Sequence, residues 1–190
     1  MKKIFVLLLA LLPVAASAQK SSFIVDLNGG FFNTDNAIAG GGVSLIWEAP
    51  VSNFYLGAGV GLSYRMGSEM RYGAKTASAH QAFIPVFAHA AYDLSENFKA
   101  ALDAGCAAGT YLFAMGGPAY LFIPYAEPQI FYNAKNGLRL GLGYQLAYDK
   151  VRVKVKGPSD VTDANDNVMV MVRTLNLLSQ AFTIHISKSF

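Results

Sequence analysis

Between Phe54 and Met66 the chain alternates strictly. Phe54, Leu56, Ala58, Val60, Leu62, Tyr64 and Met66 take one parity, and Tyr55, Gly57, Gly59, Gly61, Ser63 and Arg65 take the other. A period of two predicts a β-strand with unlike faces. The pattern recurs where Phe98, Ala100, Leu102, Ala104 and Cys106 oppose Lys99, Ala101, Asp103, Gly105 and Ala107. It recurs again where Leu138, Leu140, Leu142, Tyr144, Leu146 and Tyr148 oppose Arg139, Gly141, Gly143, Gln145, Ala147 and Asp149. Extended along the chain, it predicts eight strands, at about 22–32, 41–49, 54–66, 80–93, 98–111, 119–132, 138–156 and 167–190. Short joins at 50–53, 93–97 and 133–137 alternate with longer ones at 33–40, 67–79, 112–118 and 157–166.

Composition decides which face meets which medium. Charged residues make up 14% of the chain, against about 25% in ordinary soluble domains. The minor faces are mostly Gly, Ala and Ser with an occasional charge, poor material for contact with bulk water. They suit the narrow bore of a small barrel, so the apolar faces are expected to meet lipid. Phe54 and Tyr64 lie ten positions apart, about 33 Å along a strand, which a tilt of about 40° projects to about 25 Å. That is the height of a lipid-facing band between aromatic girdles, here Phe54, Tyr64, Phe98, Tyr120, Tyr132, Tyr148, Phe182 and Phe190. The expected fold is all-β: an eight-stranded antiparallel up-and-down transmembrane β-barrel. An even strand number puts both termini on the rim of short turns, the periplasmic side. A soluble periplasmic ligand-binding barrel would instead turn its apolar faces inward.

The first residues set the compartment. Lys2 and Lys3 precede an apolar run from Ile4 to about Val14, and Ala16-Ser17-Ala18 offers a cleavage site. Residues 1–18 therefore read as a signal peptide and 19–190 as one barrel domain. Cleavage leaves 13 basic against 12 acidic residues, a net charge of +1, so the basic pI is no nucleic-acid footprint. Cys106 is the only cysteine, which excludes an intramolecular disulfide and a multi-cysteine metal site.

The chain ends AFTIHISKSF, with Phe182, Ile184, Ile186 and Phe190 on one face. This resembles the terminal strand of bacterial outer-membrane β-barrels, and nearly the whole mature chain resembles the small eight-stranded porin-superfamily barrels of the outer-membrane protein A and X types. The resemblance implies a Gram-negative outer-membrane location, contact with outer-membrane lipid and lipopolysaccharide, and recognition of the C-terminal strand by the barrel-assembly machinery. Such barrels serve as membrane stabilisers, adhesion or defence surfaces, and occasionally lipid enzymes. A closed eight-stranded barrel can stand as a monomer.

Several residues carry candidate chemistry. Asp26, Glu48, Arg65, Lys99, Asp103, Glu127 and Arg139 take the inward parity, with His89 nearby and Asp149 higher. Charges in a narrow lumen are costly unless paired, so Lys99 and Arg139 are expected to pair with the carboxylates. That reads as a structural plug, with a polar path or gated pore as the alternative. His185-Ile186-Ser187 matches the His-x-Ser of some outer-membrane lipid hydrolases, but both residues face the lumen and no acidic or amide residue follows. They read as structural. The glycines of Gly57-Ala58-Gly59-Val60-Gly61 all point one way with no helix after them, so they relieve crowding rather than cradle phosphate. His80 and His89 show no metal-ligand spacing, and no cofactor is expected.

At 149–174, Lys150, Arg152, Lys154 and Lys156 alternate with valines before a Gly-Pro and Asp/Asn-rich turn. This predicts a hairpin protruding beyond the membrane, its basic side near lipopolysaccharide phosphates or simply a soluble edge. Tyr111, Phe113, Tyr120 and Phe122 add an apolar patch around the third long join. The function expected is non-enzymatic, structural or in surface interaction. A narrow pore for small solutes is the alternative, and a lipid-modifying enzyme is a further one.

Overall fold

The computed structural model describes residues 21–34, 37–66, 69–72, 75–78, 80–111, 120–156 and 170–190. Side chains are described at 21–32, 39–66, 80–110, 122–134, 136–148 and 178–190. The predicted signal peptide lies outside these residues. In chain order the strands are β1 (Ser22–Thr34), β2 (Ala37–Val51), β3 (Phe54–Met66), β4 (Glu69–Tyr72), β5 (Lys75–Ser78), β6 (Gln81–Asp93), β7 (Phe98–Tyr111), β8 (Tyr120–Asn133), β9 (Leu138–Lys156) and β10 (Val170–Ser189). Eight of them close a barrel in the order β1-β10-β9-β8-β7-β6-β3-β2, and β4 and β5 form a separate two-stranded sheet. Closure leaves the eight strands no open edge. At the seam, the Phe190 amide donates to the Phe23 carbonyl at 2.8 Å, and the Phe23 amide returns a bond at 3.3 Å.

Two predicted joins are largely strand. The stretch 33–40 holds the ends of β1 and β2, which stay paired out to Thr34 and Ala37 across one register shift. Its Asn, Asp and Gly residues read as a loop in sequence, yet Gly40 to Gly42 serve the sheet by having no side chain. A Cβ on Gly41 would stand 2.7 Å from the Asn28 carbonyl oxygen. The stretch 67–79 carries the β4–β5 hairpin. At the opposite rim the turns are tight. Asn136 and Gly137 turn β8 into β9 with φ of 64° and 74°, the left-handed conformation that Asn-Gly adopts at least cost.

The period-two pattern becomes the two faces of the wall. Leu56 is 41% and Leu142 67% exposed on the outside, whereas Gly59, Gly141 and Gly143 are buried inside. Small residues also align outside: Ala58, Ala88, Ala104 and Ala126 are consecutive cross-strand partners on β3, β6, β7 and β8. Inside, Ile24, Ile46 and Phe87 form one apolar cluster with Tyr125, and Ala91, Ala101 and Phe131 form another with Tyr55. Between and above these clusters the bore carries buried polar and charged side chains, among them Asp26, Glu48, His89, Lys99, Asp103, Glu127 and His185.

Candidate functional site

The polar lumen is assembled from side chains that each strand must turn inward once its apolar side faces out. Near the rim of tight turns the hub is Glu48, 1% exposed. Its Oε1 accepts from Arg139 Nη2 at 2.9 Å and Ser22 Oγ at 3.1 Å, with Lys99 Nζ at 3.7 Å. Lys99 also lies 3.6 Å from Asp93 Oδ1 and 3.4 Å over the centre of the Tyr55 ring, and Tyr55 donates to Asp93 at 2.8 Å. So the structure brings Lys99 and Arg139 to one carboxylate from different strands.

Higher in the bore, two histidines each stand between two carboxylates. His89 Nδ1 is 2.6 Å from Asp103 Oδ1, and its Nε2 is 3.5 Å from Glu48 Oε2. His185 Nδ1 is 2.9 Å from Asp26 Oδ2, and its Nε2 is 3.0 Å from Glu127 Oε1. His185 meets a carboxylate at hydrogen-bond distance from both ring nitrogens, whereas His89 bonds Asp103 and leaves its Nε2 and Glu48 Oε2 without a hydrogen bond. Ser187 donates to Asp26 Oδ1 at 2.6 Å. The serine proton is therefore committed to a carboxylate rather than to His185, and the His-x-Ser pair does not form a nucleophile–base couple. Thr183 and Gln145 complete Glu127 at 2.5 and 3.2 Å, and Gln129 donates to Asp103 at 2.9 Å.

Toward the other rim, Arg65 Nη2 donates to Gln145 Oε1 at 2.9 Å. Its guanidinium lies 4.4 Å from the centre of the Phe32 ring and 5.0 Å from that of Phe83, within cation–π range. Between Arg65 and the acidic layer is a cavity of about 60 Å³, lined among others by Asp26, Asp103, Glu127, Tyr125, Gln145 and His185. It has room for a few water-sized molecules. Among the described residues no group of His, Cys, Asp and Glu is arranged to hold a metal ion.

Sequence parity placed the charges but missed their bridges. The two histidine–dicarboxylate links, Tyr55 and the amides Gln129 and Gln145 share inward parity, yet which of them meet depends on strand register and bore width. The outer aromatics pair across strands: Phe54 with Tyr92 at 4.9 Å, Phe98 with Tyr132 at 5.6 Å and Tyr144 with Phe182 at 5.0 Å between ring centres. Tyr64 is exposed and meets His80, while Tyr148 and Phe190 are exposed as well. Tyr92 and Tyr144 are not among the aromatics expected in the girdle, Tyr144 although its outward parity is legible, because only register reveals their partners. The side chains of Tyr111, Phe113, Tyr120, Asp149, Lys150, Arg152, Lys154 and Lys156 lie outside those described. The β9–β10 backbone pairing nevertheless continues to Lys156 and Val170.

No protein-family description matches the chain, and no curated protein does. Solved structures do. Neisserial surface protein A is 13% identical with a TM-score of 0.52, over 90% of this chain and 97% of that one. The attachment invasion locus protein Ail of Yersinia pestis, solved with the heparin analogue sucrose octasulfate, is 12% identical with a TM-score of 0.51, over 90% and 97%. A major outer membrane protein of Thermus thermophilus is 12% identical with a TM-score of 0.54, over 90% and all of that chain. At such identity the likeness is one of fold. A closed eight-stranded antiparallel barrel with an apolar exterior and a polar bore gives this chain the fold of the small outer-membrane β-barrels.

Proposed function

We propose that the protein is an integral, monomeric barrel of the bacterial outer membrane, exported by its signal peptide, with both termini in the periplasm. It has no enzymatic activity and acts as a structural element or interaction surface. One observation carries this reading: the outward face of the closed barrel is apolar, with paired aromatic rings near the rim of tight turns. Leucines exposed on a closed wall are costly in water and favourable among acyl chains. The C-terminal strand, ending on exposed Phe190, is the segment offered to the assembly machinery.

The bore supports a plug rather than a pore. Eight strands leave a lumen that side chains fill, and Glu48, Lys99, Arg139 and the two histidine bridges cross it. In this reading the basic side of the 149–174 hairpin meets lipopolysaccharide phosphates beyond the membrane. The test is reconstitution. Purified protein is expected to stay in membranes washed with alkaline carbonate and to pass no steady ion current in planar bilayers. Release by carbonate sinks the membrane reading, and stable single-channel openings replace the plug with a narrow solute pore.

A further inference from the structure

Two walls of the barrel have interrupted ladders: β3–β6 skips the pairs of Ile84 and Pro85, and β8–β9, with two prolines, has the longer interruption. On β8, odd-numbered residues face β7 and even-numbered ones face β9: the Asn133 amide bonds to Asn97 on the β7 side and the Ala134 amide to Leu138 of β9. Pro124 and Pro128 are even, so the positions where they lack an N–H face β9. The β8–β9 ladder records the loss. It pairs Phe122 with Lys150, Tyr125 with Ala147, Ala126 with Leu146 and Gln129 with Gly143, then runs unbroken from Ile130 to Asn133. The missing pairs at 123, 124, 127 and 128 are the ones that need the two absent donors. The β7–β8 ladder, by contrast, is continuous from Thr110–Tyr120 to Phe98–Tyr132. The Tyr144 and Tyr148 carbonyls therefore receive no donor from β8, in a wall where lipid offers none.

The interrupted seam borders the luminal cavity. Tyr125, Glu127 and Gln145 line both, and Glu127 and Gln145 face each other where a ladder pair is missing. There the Gln145 side chain bonds Glu127 at 3.2 Å. A side-chain bridge stands where the backbone bond is absent. Beside it the cavity has an apolar wall of Phe83, Pro85, Phe87 and Ala107. We propose that the β8–β9 seam between Phe122 and Ile130 is a lateral port. Parting of the Gln145–Glu127 bridge joins the luminal cavity to the bilayer, and the port admits the slim end of an apolar molecule such as a lipid acyl chain. This rests on the membrane reading above.

The probe is a phospholipid bearing a diazirine at its acyl end, mixed into phosphatidylcholine vesicles holding the protein. Photolysis is expected to label outward residues such as Leu56 and Leu142, and also lumen-facing Tyr125 and Gln145. Two variants close the port by different means. Pro124→Ala with Pro128→Ala restores both donors, and Ala126→Cys with Leu146→Cys, in a Cys106→Ala background, locks the seam when oxidised. Either is expected to cut luminal labelling by about tenfold and to slow amide exchange on β8 and β9, with the disulfide effect reversed by reductant. Outward labelling with an unlabelled lumen overturns the port but leaves the membrane reading standing; absence of any labelling overturns that reading itself. Luminal labelling that neither variant reduces also overturns the port.

Discussion

Arg139 on β9 donates to Glu48 on β2 across the bore, at 2.9 Å, from 91 positions away in the chain. The two strands are not neighbours in the sheet, since β1 and β10 stand between them. The bond therefore ties opposite walls together. Neither residue would be stable alone in this place, because a buried charge without its partner keeps its desolvation cost.

Glu48→Ala removes the acceptor shared by Arg139, Lys99 and Ser22. Breaking a buried pair from one side costs about 3–5 kcal/mol, and that loss is expected in urea unfolding of the vesicle-inserted barrel. Replacing Glu48, Lys99 and Arg139 together by apolar residues of similar volume is expected to recover much of it. Equal destabilisation by both variants counts against the ion pairs as its source.

Ser187→Ala removes one hydrogen bond to Asp26 and leaves His185 bridged. A cost of about 1 kcal/mol is expected. Lipid acylation is expected to be the same for wild type and variant by mass spectrometry of outer-membrane lipid. Altered acyl chains that disappear with Ser187→Ala would restore the hydrolase reading.

Gly143 needs its missing side chain. A Cβ there would overlap Thr183 Oγ1 and come 2.8 Å from Glu127 Oε1 and 3.1 Å from His185 Nε2. Gly143→Ala is expected to cost about 1–3 kcal/mol, the usual penalty of overpacking, read from the same unfolding curves. A neutral result would mean that the layer of His185, Thr183 and Glu127 is loosely packed.

Leu142 tests the outer wall. It lies between Ile130 and Ile184 on neighbouring strands, and all three are exposed. Leu142→Arg is expected to cost about 2–4 kcal/mol when the barrel is folded in bilayers, as for a charge at the midplane. In water-soluble surroundings the same change would be neutral or favourable.

How much was legible follows from the period of the pleat. Alternation reports parity, so the faces of β3, β7 and β9, the inward charges and the eight closing strands are readable from one segment at a time. The stretch 33–40 was misread because glycine signals both a loop and a strand under close backbone approach; the residues that resolve this, Asn28 and Tyr64, lie elsewhere in the chain. Which charge meets which was not legible either. Glu48 takes Arg139 and Lys99, and His185 reaches Asp26 and Glu127, only because register and closure set the heights of six different strands.

By itself, then, the sequence determined the two-faced strands, the number that close the barrel and which side carries the grease, because side-chain direction along a strand is a local property. The tertiary structure alone decided the bridges across the bore, the aromatic partners on the wall and the gap left by Pro124 and Pro128. The physical reason is that a proline shows in the sequence while the direction of its missing donor does not: that depends on which strand lies beside it, and only barrel closure puts β9 there.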